Sequence, residues 1–249
     1  MTRAYAIGDV HGHLDELARA HERIRADRRR EGWDDAPVVH LGDLVDRGPE
    51  SAEVVEFLRM GPSGGPPWIT LRGNHDFMFR LFLENPKLHD PGLTPRHEWL
   101  DAALGGRRTL ASYRVEAPEE RPVADIWAEA RARVPLAHLV FLDSLPLLWR
   151  TEEAALVHAG IRPGVPLIAQ APGDLMWIRK GFLEDGTDHG VLVVHGHTAL
   201  DAPAHHGNRV NLDGGAGYGR PLVAAAIEGR DVWVLSEDGR EPLRPPEVT

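Results

Sequence analysis

Five short apolar runs recur along the chain, each ending in a glycine-rich or polar turn. Arg3-Ala4-Tyr5-Ala6-Ile7 runs into Gly8-Asp9-Val10-His11-Gly12, and Pro37-Val38-Val39-His40-Leu41 runs into Gly42-Asp43-Leu44-Val45-Asp46-Arg47-Gly48. Trp68-Ile69-Thr70-Leu71 precedes Arg72-Gly73-Asn74-His75-Asp76, Ala154-Ala155-Leu156-Val157 precedes His158-Ala159-Gly160, and Val191-Leu192-Val193-Val194 precedes His195-Gly196-His197-Thr198. Apolar runs of this length, bounded by turn residues, predict buried strands. After the first run, Leu14, Leu17, Ala18 and Ile24 share one face of a predicted helix, which Arg28-Arg29-Arg30 closes as a solvated C-terminal end.

Residues 85 to 150 break this rhythm. They are punctuated by Pro86, Pro91, Pro95, Gly105-Gly106, Pro118, Pro122 and Pro135, with helical patterns near 95 to 104, 123 to 133 and 135 to 143. The expectation is a helical cap inserted into the core at a site rim, where insertions commonly set substrate choice. In it, Trp99, Tyr113 and Trp127 either line a groove or pack the helices together.

Open α/β sheets place their sites just beyond the carboxyl ends of the strands, so all five turns can meet on one rim. The oxygen and nitrogen groups delivered there are Asp9, His11, Asp43, Asn74, His158 and His197. Taken singly, Gly-Asp after a strand is also a common turn or helix N-cap, and a lone histidine is most often an ordinary hydrogen-bonding residue. The ordered conjunction favours a site for two divalent cations that share Asp43 at a separation of roughly 3.5–4 Å. Carboxylate, amide and imidazole donors without thiolate suit borderline or hard ions such as manganese, iron or zinc, with manganese the expected pair.

The motif-bearing stretches, about 3 to 84 and 153 to 227, resemble the phosphoprotein phosphatase branch of the calcineurin-like metallophosphoesterases, in particular its bacterial serine/threonine phosphatases. The resemblance implies a four-layer α/β/β/α sandwich. It implies Asp9, His11 and Asp43 around one metal and Asp43, Asn74, His158 and His197 around the other. Arg47 and Arg179 would clamp the substrate phosphate, and His75 would act as general acid with Asp46 orienting it. The chemistry agrees. Two cations lower the pKa of a shared water from about 15.7 toward about 7, giving hydroxide for in-line attack. An arginine fork binds two phosphate oxygens at once, and a histidine held by a carboxylate protonates the leaving oxygen.

Other polar residues are ambiguous. Arg162 follows the His158 turn and is a further candidate phosphate contact. His195 precedes His197 by two positions, which would point both to the same side of a strand; the resemblance selects His197, after the glycine. His205 and His206 read as surface residues at a hairpin turn, and the glycine-rich stretch Asn211 to Gly219 is expected to shape the rim.

Composition sets the wider frame. With 249 residues, 42% of them hydrophobic, the chain can bury one sizeable core, so a single domain over 1–249 is expected. A formal net charge of -10 argues against nucleic-acid and acidic-membrane partners. The absence of cysteine excludes disulfides and thiolate chemistry. With no signal core and no long apolar run, a cytoplasmic protein is the default, its oligomeric state open. Lysine occurs only at Lys87 and Lys180, which reflects base composition rather than function.

Three functions fit these residues: a serine/threonine protein phosphatase that also accepts small phosphate esters, a symmetrical diadenosine tetraphosphatase, or a metal-binding module without turnover. The resemblance ranks the first ahead, because dinucleotide hydrolases typically carry alanine where this chain has Asp46. Ala199 after Gly196-His197-Thr198 argues against the phosphodiesterase branch, which usually carries Gly-His-x-His. No catalytic group is missing, which disfavours the inert module.

Overall fold

The computed structural model describes residues 2–246. In chain order, β1 (Arg3–Ile7) leads to α1 (Leu14–Glu31), β2 (Val38–His40), α2 (Ser51–Met60), β3 (Trp68–Thr70) and α3 (Asn74–Glu84). Three helices follow, α4 (Gly106–Ser112), α5 (Val123–Arg133) and α6 (Leu136–Ser144). The second half contains β4 (Leu148–Arg150), β5 (Ala154–Val157), α7 (Pro172–Trp177), β6 (Leu192–His195), β7 (Ala204–His205), β8 (Arg209–Asn211), β9 (Ala224–Glu228), β10 (Asp231–Leu235) and β11 (Arg240–Pro242). All five expected strands are present, within a residue or two of their expected limits.

Two mixed sheets form, a six-stranded one in the order β11-β10-β9-β1-β2-β3 and a five-stranded one in the order β4-β5-β6-β8-β7. In each, three consecutive strands run parallel, β1-β2-β3 and β5-β6-β8, so the turns after them leave the sheet on the same side.

Side-chain alternation then builds the layers. Tyr5 and Ile7 of β1 pack into the core under the first helices, while Ala6 faces the second sheet. Leu192 and Val194 of β6 fill the space between the sheets, and Val193 packs outward with Leu175 of α7. This period-two division produces helices, sheet, sheet and a thin outer layer around α7, the four-layer α/β/β/α order expected from the sequence.

The helices of the 85–150 stretch join the cluster that covers the first sheet through Leu110, Ile126, Ala130 and Leu142. Residues 95–104 do not form the expected helix. Their backbone makes separate three-residue turns, His97 N–H to Thr94 O and Asp101 N–H to Glu98 O, while the Asp101 carboxylate takes the Glu98 N–H. That local bond competes with helix formation, and left-handed Gly105 ends the segment. At the end of α1, Arg29 and Arg30 are exposed as expected, whereas Arg28 is half-buried. It donates to Trp33 O and Ala36 O and covers the Tyr5 ring.

Candidate active site

The turns after β1, β2, β3, β5 and β6 converge, and their backbone is unusual. Non-glycine residues with positive φ among the described residues are His11, Asp43, Asp46, Arg47, Arg114 and His197, all but Arg114 at this one place. Such conformations cost about 1–3 kcal/mol each and persist where the surroundings enforce them, often at functional sites. Packing demands glycine beside them. A Cβ at Gly73 would collide with Asp43 Oδ1, and one at Gly196 with Asp9 Oδ1.

Asp9, His11, Asp43, Asn74, His75, His158 and His197 are all buried. His11 Nδ1 donates to Val45 O at 2.9 Å and His158 Nδ1 donates to Leu41 O at 2.9 Å, which turns both Nε2 atoms toward Asp43, 3.5 and 3.4 Å from its carboxylate oxygens. Backbone carbonyls that fix the tautomer in this way are the usual support of metal-binding imidazoles. Ligand-type atoms of Asp43, His158 and His197 lie within 4.8 Å of one another, as do those of His11, Asp43 and His75. Asp9 Oδ2 accepts from the His197 N–H at 2.9 Å.

The donor set fits cations. Asp9 Oδ1 and His197 Nε2 are buried without a hydrogen-bond partner, a rare condition for buried polar atoms. With its Nδ1 proton spent on Leu41, His158 turns a lone pair toward Asn74 Oδ1, 2.9 Å away, so acceptor meets acceptor. A pair of cations would satisfy all of these groups.

Electrostatics point the same way. Burial pushes the pKa of His11, His158 and His197 down, keeping them neutral, the form that binds metal. Burial raises the pKa of Asp43, but the charge that His158, His75, His11 and His197 carry when protonated outweighs it and holds Asp43 well below the usual carboxylate range. Asp9 is raised by burial and by the charges of Asp213 and Asp43.

The groups expected to handle phosphate flank this cluster. Arg47 Nη1 lies 2.9 Å from His11 Nε2 and its Nη2 lies 3.3 Å from His75 Nε2, with the guanidinium 4.7 Å from the centre of the Tyr218 ring. Arg179 donates to His197 O at 3.4 Å. A cavity of about 210 Å³ opens here, lined by Asp43, Arg47, Asn74, His75, Arg179 and His197 among others. His75 Nδ1 lies 2.6 Å from Asp46 Oδ2. Burial lowers the pKa of His75, but the Asp43 and Asp46 charges prevail and raise it.

Two sequence expectations are corrected and one ambiguity is resolved. Arg162 is exposed and forms a two-point ion pair with Asp174 of α7, at 2.7 and 2.6 Å, away from the cavity. His195 packs edge-on against Phe182 rather than toward the cluster. Because β6 ends at His195 and His197 has φ 66°, the expected strand alternation does not extend to His197. Tyr113 and Trp127 bind His138 Nδ1 and Leu83 O, as packing residues rather than groove walls.

Sequence reasoning missed three contacts. Trp99 Nε1 donates to Asp46 Oδ2 at 2.9 Å, Thr109 Oγ1 donates to Asp46 Oδ1 at 2.6 Å, and Tyr218 stacks on Arg47. The glycine-rich turn gives the one available signal. A Cβ at Gly217 would lie 2.6 Å from the His11 ring, so that turn can touch the site only as glycine.

Residues 2–214 match the family described as calcineurin-like phosphoesterase. The chain is 35% identical over 159 residues to a symmetrical bis(5'-nucleosyl)-tetraphosphatase of Methylococcus capsulatus, a match covering 64% of this chain but only 43% of that relative's length. An asymmetrical bis(5'-nucleosyl)-tetraphosphatase of Halalkalibacterium halodurans is 25% identical over 257 residues, covering 95% of this chain and 94% of its own. The cold-active protein-tyrosine phosphatase of a psychrophilic Shewanella shares the fold, with a TM-score of 0.64 at 16% identity over 98% of this chain and 81% of that one.

Proposed function

Since the chain belongs to the calcineurin-like phosphoesterase family, we propose that it is a two-metal hydrolase whose substrate is a dinucleoside tetraphosphate. The observation that carries the substrate is the naming of its curated relatives, one of them aligned over nearly the whole chain. Those two relatives are named for symmetrical and asymmetrical cleavage, so the proposal is for the substrate class. It reverses the ranking that Asp46 alone suggested.

Asp9, His11 and Asp43 would hold one divalent cation, and Asp43, Asn74, His158 and His197 the other, with manganese the best fit to these donors. Asp9 is preferred over His75 as the third group of the first site, because its Oδ1 is unpartnered while His75 is engaged by Asp46. When bound, the two cations supply charge neutralisation and a nucleophile from water at neutral pH. Arg47 and Arg179 orient the phosphate from the cavity wall and balance charge that builds on its oxygens. His75 carries a proton on the side facing the leaving group, held there by Asp46.

A second reading, a phosphoserine or phosphothreonine phosphatase, is favoured by one feature, the 2.6 Å contact between His75 and Asp46. Cleaving an anhydride expels a phosphate, which leaves readily, whereas a monoester expels an alkoxide that needs a proton. An intact acid is more than the dinucleotide reaction requires.

The test is a side-by-side assay of diadenosine tetraphosphate and a phosphoserine peptide with added manganese. A kcat/KM for the tetraphosphate higher by about tenfold or more supports the first reading. The reverse preference replaces it with the second.

A further inference from the structure

Asp46 has no exposed surface, and three side chains compete for its two oxygens. Oδ2 accepts from His75 Nδ1 at 2.6 Å and from Trp99 Nε1 at 2.9 Å, while Oδ1 accepts from Thr109 Oγ1 at 2.6 Å. Thr109 Oγ1 also lies 2.8 Å from the Asp46 N–H, so one hydroxyl grips both the backbone and the side chain of a residue whose φ is 72°. A left-handed aspartate persists only where its surroundings hold it, and Thr109 supplies the shorter hold on an N–H that Ser51 Oγ shares at 3.2 Å.

Trp99 is held as firmly. Its ring stacks on Phe79 at 5.3 Å and tilts against Phe82 at 4.8 Å, and a Cβ at Gly106 would lie 2.6 Å from the indole. Both donors come from the 85–150 stretch, 53 and 63 residues beyond Asp46. A carboxylate can rotate about its last bond, which would carry the accepting oxygen away from the histidine it orients. With Oδ1 tied to Thr109 and Oδ2 shared with Trp99, that rotation is blocked, and His75 Nε2 is left facing the cavity beside Arg47.

We propose that Trp99 and Thr109 are positioning residues for proton delivery, holding Asp46 and through it His75, so that the 85–150 stretch decides how poor a leaving group the site can expel. This rests on the reading of His75 as the acid. In that step the bond from phosphorus to the leaving oxygen breaks, the oxygen takes the proton of His75 Nε2, and the water oxygen bonds to phosphorus. Its released proton restores His75 through solvent, and Asp46 remains a carboxylate throughout.

Leaving-group dependence reads this out. p-Nitrophenolate leaves without protonation, whereas phenolate, with a pKa of about 10 like that of tyrosine, benefits from it. The measurement is the ratio of kcat/KM for phenyl phosphate to that for p-nitrophenyl phosphate, with added manganese, in the full chain and in Trp99→Phe, Thr109→Val, Thr109→Ser and His75→Asn. Trp99→Phe and Thr109→Val should lower the ratio roughly tenfold, and His75→Asn by about 10² or more. Thr109→Ser keeps the hydroxyl and should keep the ratio.

Proportional losses on both substrates in Trp99→Phe and Thr109→Val would reduce these residues to structural roles and overturn the inference, as would no loss on either. A ratio unchanged in His75→Asn, or no turnover of phenyl phosphate by the unsubstituted chain, removes the acid itself and overturns both readings together. A fall in His75→Asn alone overturns only the roles of Trp99 and Thr109.

Discussion

His75 Nδ1 lies 2.6 Å from Asp46 Oδ2, and neither side chain has appreciable contact with solvent. The pair ties the residue after the third strand to the turn after the second, beside the cavity where phosphate would sit. Replacing His75 with Asn should lower turnover of an alkyl phosphomonoester by roughly 10²–10⁴, the range of a general acid, while the chain retains its metal. Asp9→Asn should instead reduce bound metal. Metal analysis of the two purified variants beside their kinetics checks this, and loss of metal in His75→Asn would assign its ring to the first metal group.

With His75 in the proposed role of acid, its protonation should set the pH dependence. Burial lowers its pKa, but the Asp43 and Asp46 charges prevail and hold it above the ordinary value of 6.5. Activity that needs the charged ring therefore persists as pH rises past 6.5 and is lost as pH climbs through the raised value. Asp46→Asn removes one of the raising charges. Its alkaline limb, measured as kcat against pH on a phosphomonoester with a poor leaving group, should shift to lower pH; a shift to higher pH would contradict the pairing.

The arginines should divide sharply. Arg47 and Arg179 face the cavity, so Arg47→Ala and Arg179→Ala should each lower kcat/KM by roughly 10–10²-fold, in line with the loss of a charge-assisted contact of about 1.5–3 kcal/mol. Arg162 is exposed and bound to Asp174, so Arg162→Ala should leave kcat/KM within about twofold. Steady-state kinetics on p-nitrophenyl phosphate separate the three.

Asp76 should matter for stability more than for chemistry. Its Oδ2 accepts the Gly73 N–H at 2.9 Å and its Oδ1 the Leu44 N–H at 2.8 Å, joining the start of α3 to the turn after β2. Asp76→Ala leaves two buried donors unpaired and should cost about 2–4 kcal/mol in a urea melt. Asp76→Asn, which keeps one acceptor, should fall between.

Local patterns carried most of the architecture. β1 and β5 are apolar runs closed by glycine or a polar turn, and their limits match the sequence reading because both signals lie within a few residues. The convergence of Asp9, Asp43 and His158 was legible for the same reason, since each follows a parallel strand. What escaped detection depends on distant partners. Nothing near Trp99 or Thr109 indicates that both end on Asp46. Arg162 is ambiguous in the sequence because its partner Asp174, on α7, is twelve residues away. The 95–104 segment has helical spacing, but the Asp101 carboxylate captures a backbone N–H that a helix would need elsewhere.

The central claim is that the buried cluster around Asp43 binds two divalent cations and that hydrolysis depends on them. The most direct measurement titrates manganese into chelator-treated protein, following bound metal and p-nitrophenyl phosphate turnover together, with Asp43→Asn alongside. The account predicts that activity rises with binding of two ions per chain, and that Asp43→Asn loses both. Full turnover in the metal-free protein, or an Asp43→Asn variant that binds and turns over normally, would contradict it.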